Sequence, residues 1–464
     1  MNILQVNNLN NSNRATLEAK AKANVAVPIS STANAPVNYS AENIRAYRPS
    51  FSATLQTPEE KNKYNAVLKK ADGQTKSLIN AMLKTGVLLD ANSNDKSTVL
   101  DNLYKIATEP RIQGLSTKNV LGETVKAIAN PYTITQAFGD VPSNIVGDIV
   151  NYVKPKDIKP EDLNVRSASC VATSIEFNLA SKMPAEFARM SAGLSSEKYS
   201  VTKKIKLSDI APNTVDAIWM LNEFNMKYKL ENWEDVELTL EPDRNAIIRA
   251  RIQNSYKDPD ERSLVDVLMQ STLMNIGSQN TYDSLTDTRT GKYNPDNRGL
   301  TDIEKNFAEE VAQGKPKVSV TYQILDDQGI LTGYEADFKT VEKHILDALK
   351  TNNNIIIGYT QLDADKRVIN GHEITIIGAE KSADGKLIFI CNDTDDNKSE
   401  PIKWAADELI PLIHHAGLPK EVLKEDVEFV DSWREVLTMY KQAKETPQLQ
   451  QAQPETSIQP QTAA

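Results

Sequence analysis

The side-chain types that can form a nucleophile and its base are scarce in this 464-residue chain, which has two cysteines and four histidines. Cys170 lies in the stretch SASCVATSIEF, where small polar residues precede it and apolar residues follow at four-residue intervals. This spacing predicts a helix that begins near Cys170 and buries one stripe. Free N–H groups at a helix start favour the thiolate, the reactive form of cysteine. Cys170 is therefore either a nucleophile, with Ser167 and Ser169 as candidate helix caps, or a small buried core residue.

His372 is the histidine best placed to act as a base. It follows the turn-like stretch VING and opens the predicted strand EITIIGA, which the turn SADGK joins to KLIFICN. In an antiparallel pair, residues at the start of one strand lie near those at the end of the next. Asn392 or Asp393 could therefore hold the second imidazole nitrogen. Adjacent strand residues point to opposite faces, so only one can do so, and Asn392 is the preferred candidate.

These short motifs resemble those of the papain-like cysteine peptidases, including papain itself, staphopain and the bacteriocin leader-processing peptidases. CVATS is similar to the nucleophile motif of that superfamily, NGHEITIIGA to its histidine strand, and IFICND to its strand ending in Asn or Asp. The order Cys, His, Asn/Asp also matches, and the resemblance covers about 150–205 and 335–412. It implies a papain-like fold and hydrolysis of peptide bonds through a thioester. It also implies an oxyanion-hole donor six residues before the nucleophile, where Asn164 stands instead of the family's Gln.

Two other functions use the same residues differently. A transglutaminase-like or other acyltransferase would form the same thioester and pass the acyl group to an amine. A catalytically inactive papain-like protein would only bind its partner, and the Asn at position 164 is the best argument for that alternative. The expected partner is a protein or peptide, and neither a metal nor an organic cofactor is expected. The stretch DTDDN lacks the glycine and glutamate of a calcium loop, and His414 and His415 are predicted to lie at a helix end in the cationic form.

The composition restricts the class of partner. The formal net charge is −10, and no long basic run could follow a phosphate backbone, so a nucleic-acid partner is not expected. No window approaches eighteen apolar residues, and the first residues lack the basic and apolar regions of a Sec signal. We therefore expect no membrane span, and either a cytoplasmic protein or one exported by a non-Sec route. The oligomeric state stays open.

The predicted organisation is an α+β protein in which helices precede a sheet. Residues 1–56 are rich in Asn, Ala and Ser and are predicted to be disordered. Residues 57–150 form a helical region, interpreted as propeptide-like or as an interaction domain. Residues 151–430 are expected to be the papain-like domain, with an insertion at about 200–335. Residues 431–464 are expected to form a C-terminal helix and a disordered Gln/Pro-rich tail.

Overall fold

The computed structural model describes residues 54–136, 168–210, 217–232, 234–255, 262–285, 287–290, 299–395 and 400–423. Within them the protein has twelve α-helices and eleven β-strands, and every strand pair is antiparallel, which confirms the α+β class. The predictions for residues 1–53, 137–167 and 424–464 lie outside the described residues. The helices are α1 Pro58–Lys70, α2 Gly73–Lys84, α3 Val99–Thr108, α4 Thr117–Ala129, α5 Cys170–Lys182, α6 Pro184–Leu194, α7 Ala217–Glu223, α8 Ala246–Ser255, α9 Leu264–Gly277, α10 Asp302–Gln313, α11 Phe338–Lys350 and α12 Ala406–Leu409.

The N-terminal helices begin where capping chemistry predicts. Thr57 and Glu60 form a reciprocal capping box at α1, with Pro58 in its first turn. Thr98 and Asp101 form the same arrangement at α3. Helices α3 and α4 then pack against α6, and α4 also packs against α9. The helical region is thus built into the same layer as the helix that begins at Cys170.

One hydrophobic core joins this region to the helices that follow. It includes Val67 and Leu103 from the first helices, Phe187 from α6, Leu268 from α9 and Phe307 from α10. The segment interpreted as an insertion at 200–335 therefore contributes α9 and α10 to the central helical layer. It also contributes a small sheet in the order β1–β3–β2.

Six strands form the main sheet, in the order β10–β9–β8–β7–β11–β4. Helices α5 and α10 pack on one face and α11 on the other. Strand alternation divides the residues of β7 accordingly: Ile356 joins the helical core, while Ile355 and Ile357 join a second core under α11. The strands are β1 Val201–Lys206, β2 Lys227–Leu230, β3 Asp235–Leu240, β4 Lys317–Thr321, β5 Gln323–Leu325, β6 Leu331–Tyr334, β7 Ile355–Leu362, β8 Val368–Lys381, β9 Leu387–Asn392, β10 Ile402–Ala405 and β11 Ile413–Pro419.

Three local predictions differ from the structure. Helix α5 has buried residues all around its axis, from Val171 to Ser181, because other helices and the sheet enclose it. Strand β8 starts at Val368, so His372 lies inside the strand and not at its start. His414 and His415 lie in β11 and not at a helix end, because this segment is hydrogen-bonded between β4 and β7 in the middle of the sheet.

Candidate active site

Cys170 is the first residue of α5, as the sequence predicts, and its side chain is partly exposed. The first-turn N–H groups of a helix have no intrahelical acceptor, so they can donate to an oxyanion that forms beside Sγ. Ser169 occupies the N-cap position, but its side chain does not cap the helix. Its Oγ instead donates to Oε1 of the buried Gln270 at 3.1 Å. The residue before the thiol is thereby anchored to α9.

His372 lies between Cys170 and a carboxylate. Its Nε2 is 2.8 Å from Oδ1 of Asp393, and Cys170 lies close enough to the ring to raise its pKa. Since Asp393 occupies Nε2, Nδ1 is the nitrogen that faces the thiol. Burial alone would lower the pKa of His372, but the charge and hydrogen bond of Asp393, together with Cys170, raise it well above its usual value. The site therefore favours an imidazolium beside the sulfur.

Asp393, and not the preferred Asn392, is the residue that contacts the imidazole. Asn392 pairs directly with Thr375 across β8 and β9, and its side chain is buried at 3% exposure. Asp393 follows on the opposite face, diagonal to His372, where a side chain two residues away in register can reach. The Asp393 carboxylate also accepts the Asp395 backbone N–H at 3.0 Å. This second bond holds the carboxylate in the turn that ends β9.

An aromatic side chain covers one side of the histidine. Tyr359 stands opposite His372 in β7, with ring centroids 5.7 Å apart in an edge-to-face arrangement. Trp404 of β10 packs against Tyr359 in the same geometry at 5.2 Å. Burial raises the pKa of Tyr359 to about 12, so this ring is neutral at ordinary pH. The aromatic pair limits water around the imidazole and leaves the Asp393 charge less screened.

Sequence reasoning missed the residues that hold the segment just before the nucleophile. Asp287, buried and at φ 51°, accepts the Ala168 backbone N–H and the Tyr282 hydroxyl. It belongs to the turn-rich stretch DTRTGKYNPDNRG. Its described part borders the site. The composition of the stretch predicts a turn, but no sequence pattern shows which backbone amide its aspartate would bind.

Two carboxyl groups are buried beneath the nucleophile helix. Glu176 of α5 accepts the Gln270 amide at 2.9 Å, and its neighbour Asp266 caps α9 through Ser263. Burial and the nearby Asp266 raise the pKa of Glu176 well above its usual value. Burial also raises the pKa of Asp266, to about 6. The free energy of unfolding therefore depends on the protonation of these two buried groups.

The remaining candidates do not join this cluster. Cys391 is fully buried in β9, as expected for a structural thiol, and burial raises its pKa. Burial and the neighbouring His415 lower the pKa of His414 to about 4, so it is neutral and not cationic as predicted. His415 pairs with the buried Glu373 at 2.9 Å. Asn164 lies outside the described residues.

The described parts of the chain hold neither a cluster of metal ligands nor a membrane-spanning helix. Among these residues, no group of three or more His, Cys, Asp or Glu side chains is arranged to hold a metal ion. None of the helices described above combines the length and the apolar character needed to cross a bilayer. The chain matches no protein-family model, no curated protein and no solved structure.

Proposed function

We propose that this protein is a cysteine peptidase of the papain-like superfamily, with Cys170 as nucleophile, His372 as acid and base, and Asp393 as the orienting group. The observation that carries the proposal is the grouping of Cys170, His372 and Asp393 at the start of a helix, with Asp393 bonded to Nε2 of His372 and Cys170 close enough to raise the imidazole pKa. A nucleophile, a base within reach of it and a third group that fixes the base are what acyl transfer requires. These residues also have the Cys, His, Asn/Asp order of that superfamily.

The chemistry follows from the positions of the atoms. In the thiolate–imidazolium pair, Sγ of Cys170 attacks the carbonyl carbon of the peptide and forms the C–S bond. The carbonyl electrons move to the oxygen, where the backbone N–H at the helix start can donate to the oxyanion. When the intermediate collapses, the C–N bond breaks and Nδ1 of His372 gives its proton to the leaving amine. His372 then takes a proton from water, the water oxygen adds to the thioester carbon, and the C–S bond breaks to release the carboxylic acid and restore the thiolate–imidazolium pair.

Asp393 makes this proton transfer possible by fixing the ring. Its bond to Nε2 leaves Nδ1 directed at Cys170, and its charge stabilises the imidazolium form. The thioester can also be resolved by an amine, as in the acyltransferase alternative. The same residues would act in both reactions, so only the identity of the products separates them.

Alkylation of the folded protein tests the proposal without a known substrate. The protein is treated with iodoacetamide from pH 4 to 9, and the labelled cysteine is located by peptide mass. We expect rapid labelling of Cys170 below pH 7, because the imidazolium holds the thiolate. Cys391 is the internal control, since its full burial should leave it unlabelled under the same conditions.

His372→Ala should remove the labelling below pH 7 and leave a rate that rises only near the ordinary thiol pKa of about 8.5. Peptide substrates selected afterwards should give a Cys170-linked acyl adduct that hydroxylamine releases. Hydrolysed peptide would support a peptidase, and a peptide joined to an added amine would support an acyltransferase. Equal labelling of wild type and His372→Ala at pH 6 would disprove the activated pair and leave a binding protein.

A further inference from the structure

The two halves of the candidate triad belong to different layers of the molecule. Cys170 begins a helix of the helical layer and packs partly buried against the helical core, whereas His372 and Asp393 belong to the main sheet. A reaction that passes a proton between them needs their separation fixed to a fraction of an ångström. Some contact between the layers must therefore hold the sulfur and the imidazole at a fixed distance.

Thr135 and Gln136, at the end of the N-terminal helical region, contact the Asp393 turn. The Gln136 backbone N–H and the Thr135 hydroxyl donate to the Thr394 carbonyl at 3.2 and 3.1 Å. Nε2 of Gln136 donates to Oδ1 of Asp395 at 2.9 Å, and its Oε1 accepts the Thr394 hydroxyl at 3.3 Å. The two residues thus make four hydrogen bonds to the pair that follows Asp393.

The same segment also contacts the nucleophile side. Nε2 of Gln270 donates to the Thr135 carbonyl at 2.9 Å, while Oε1 of Gln270 accepts the Ser169 hydroxyl at 3.1 Å. Ser169 immediately precedes Cys170. The hydrogen bonds therefore run from Ser169 through Gln270 and Thr135 to the turn that carries Asp393. Gln136 and Gln270 are both at least 95% buried, so water does not compete well for these bonds.

We propose that Thr135 and Gln136 form a bridge between the two layers, and that Gln136 is a positioning residue for Asp393. Gln136 fixes Asp395, and the Asp395 backbone N–H fixes the Asp393 carboxylate that binds His372. The claim that this bridge supports catalysis rests on the proposed function. The claim that it positions Asp393 does not, because the position of Asp393 determines the titration of His372 in either case. The helical region before Cys170 then supports the site and does not act as a removable inhibitor.

The test compares Gln136→Ala with wild type and with Gln328→Ala, a control at an exposed glutamine in the turn between β5 and β6. Histidine labelled with ¹³C at Cε1 reports the titration of each of the four imidazoles by NMR, and the His372 signal is assigned from its loss in His372→Ala. The titratable groups that act on His372 include Asp393, Cys170, Tyr359 and the neighbouring Glu373. With the Asp393 carboxylate released, we expect the His372 midpoint to fall towards the ordinary value of about 6.5. Gln328→Ala should leave it unchanged.

A second pair of variants separates the effect of the Gln136–Asp395 hydrogen bond from the effect of packing the Gln136 side chain. Gln136→Glu keeps the shape but replaces the donor to Asp395 with a carboxylate; its charge alone would raise the His372 midpoint, so a midpoint at or below that of wild type marks release of the Asp393 carboxylate. Adding Asp395→Asn restores a donor and acceptor in the reversed sense, and should return the midpoint to that of wild type. Circular dichroism and thermal unfolding establish that each variant is folded. An unchanged midpoint in folded Gln136→Ala, together with a raised midpoint in folded Gln136→Glu, would overturn the bridge.

Alkylation of the same variants distinguishes this result from failure of the proposed function. If both hold, Gln136→Ala should lower the Cys170 labelling rate at pH 6 and reduce kcat on a selected peptide by up to about 100-fold with little change in KM. If wild-type Cys170 is not activated but the His372 midpoint still falls in Gln136→Ala, the bridge stands and the peptidase proposal fails. If Cys170 is activated equally in both proteins and the midpoint is unchanged, the bridge fails alone.

Discussion

At the scale of single residues, the pairing of β8 with β9 decides which side chain contacts His372. Cys170 and His372 are candidates from the sequence because each type is rare and each lies where the local pattern indicates a helix start or a strand. The choice between Asn392 and Asp393 depends on register. The pairing of β8 with β9 shifts by one residue between Ile376 and Gly378. Such a bulge exchanges the faces of all later residues, so Asp393 shares the face of His372. No turn motif in the sequence shows where the bulge falls.

The register predicts that substitutions at Asp393 and at the adjacent Asn392 have different effects on Cys170 alkylation. Asp393→Ala should lower Cys170 alkylation at pH 6 by at least about tenfold, since an oriented base contributes ~10²–10⁴-fold to such chemistry. Asn392→Ala should keep the labelling rate, because its side chain faces Thr375 on the other side of the sheet. The comparison is made by peptide mass after timed labelling. A larger effect at Asn392 in the folded protein would contradict the assignment.

The same pair has a stability effect whose sign follows from the pKa shift. The folded-state pKa of His372 is raised above its unfolded value of about 6.5. The ion pair therefore stabilises the protein fully below that value, and its contribution is lost as the pH rises through the folded pKa. In urea unfolding, Asp393→Ala should accordingly be more destabilising near pH 6 than well above the folded pKa.

At the scale of elements, caps and periodicity predict helices well where one face meets solvent. Thr57 and Thr98 mark the starts of α1 and α3 as capping boxes. Helix α5 follows another pattern, because its polar residues are buried together with its apolar ones. A single sequence cannot show which polar positions face solvent and which face another helix. The sequence therefore does not show that the carboxyl of Glu176 is buried.

The burial of that carboxyl predicts an unusual dependence of stability on pH. An acid whose folded pKa is raised is ionised first in the unfolded state, so the protein loses stability as the pH rises above the unfolded value of about 4.3. The loss has a limiting slope of about 1.4 kcal/mol per pH unit until the folded pKa is reached. Glu176→Gln removes this cost and can keep the bond from Gln270. It should stabilise the protein at pH 8 and have little effect near pH 4.

A second buried glutamate provides the matched control with the opposite sign. Glu186 of α6 lies within 2.8 Å of Arg189 and 2.7 Å of Lys203. Burial would raise its pKa, but Lys203 and Arg189 lower it to about 2. Glu186→Gln leaves buried cations without their carboxylate, so it should destabilise the protein at pH 7 by ~3–5 kcal/mol, and less as the pH falls towards 2. Urea unfolding of both variants from pH 4 to 8 is the measurement. Parallel pH profiles would refute the burial argument.

At the scale of the whole molecule, the N-terminal helices and the helices that follow Cys170 form one layer. The sequence predicts separate segments because it contains a helix-rich part before Cys170 and a strand-rich part after residue 335. The structure gives the first four helices a common core with α6, α9 and α10. Arg111 donates to the Ala192 carbonyl at 2.6 Å, and Asn102 donates to the Ala185 carbonyl at 3.3 Å. Such contacts link residues more than 80 positions apart, which local patterns cannot show.

Because the two parts of the chain share one core, we expect a destabilising substitution in the helical region to lower the stability of the sheet as well. Leu103 of α3 is fully buried in the helical core, and Leu103→Ala should cost ~2–5 kcal/mol. Cys391 is fully buried in the other core and reports opening of the sheet through pulse alkylation in urea. If the protein unfolds cooperatively, its labelling midpoint should shift by the same amount as the circular dichroism midpoint. Thr108→Ala, at an exposed position of the same helix, should move neither. If the region were an independently folding, propeptide-like unit, Leu103→Ala would lower only part of the circular dichroism transition, and Cys391 would stay protected to the wild-type urea concentration.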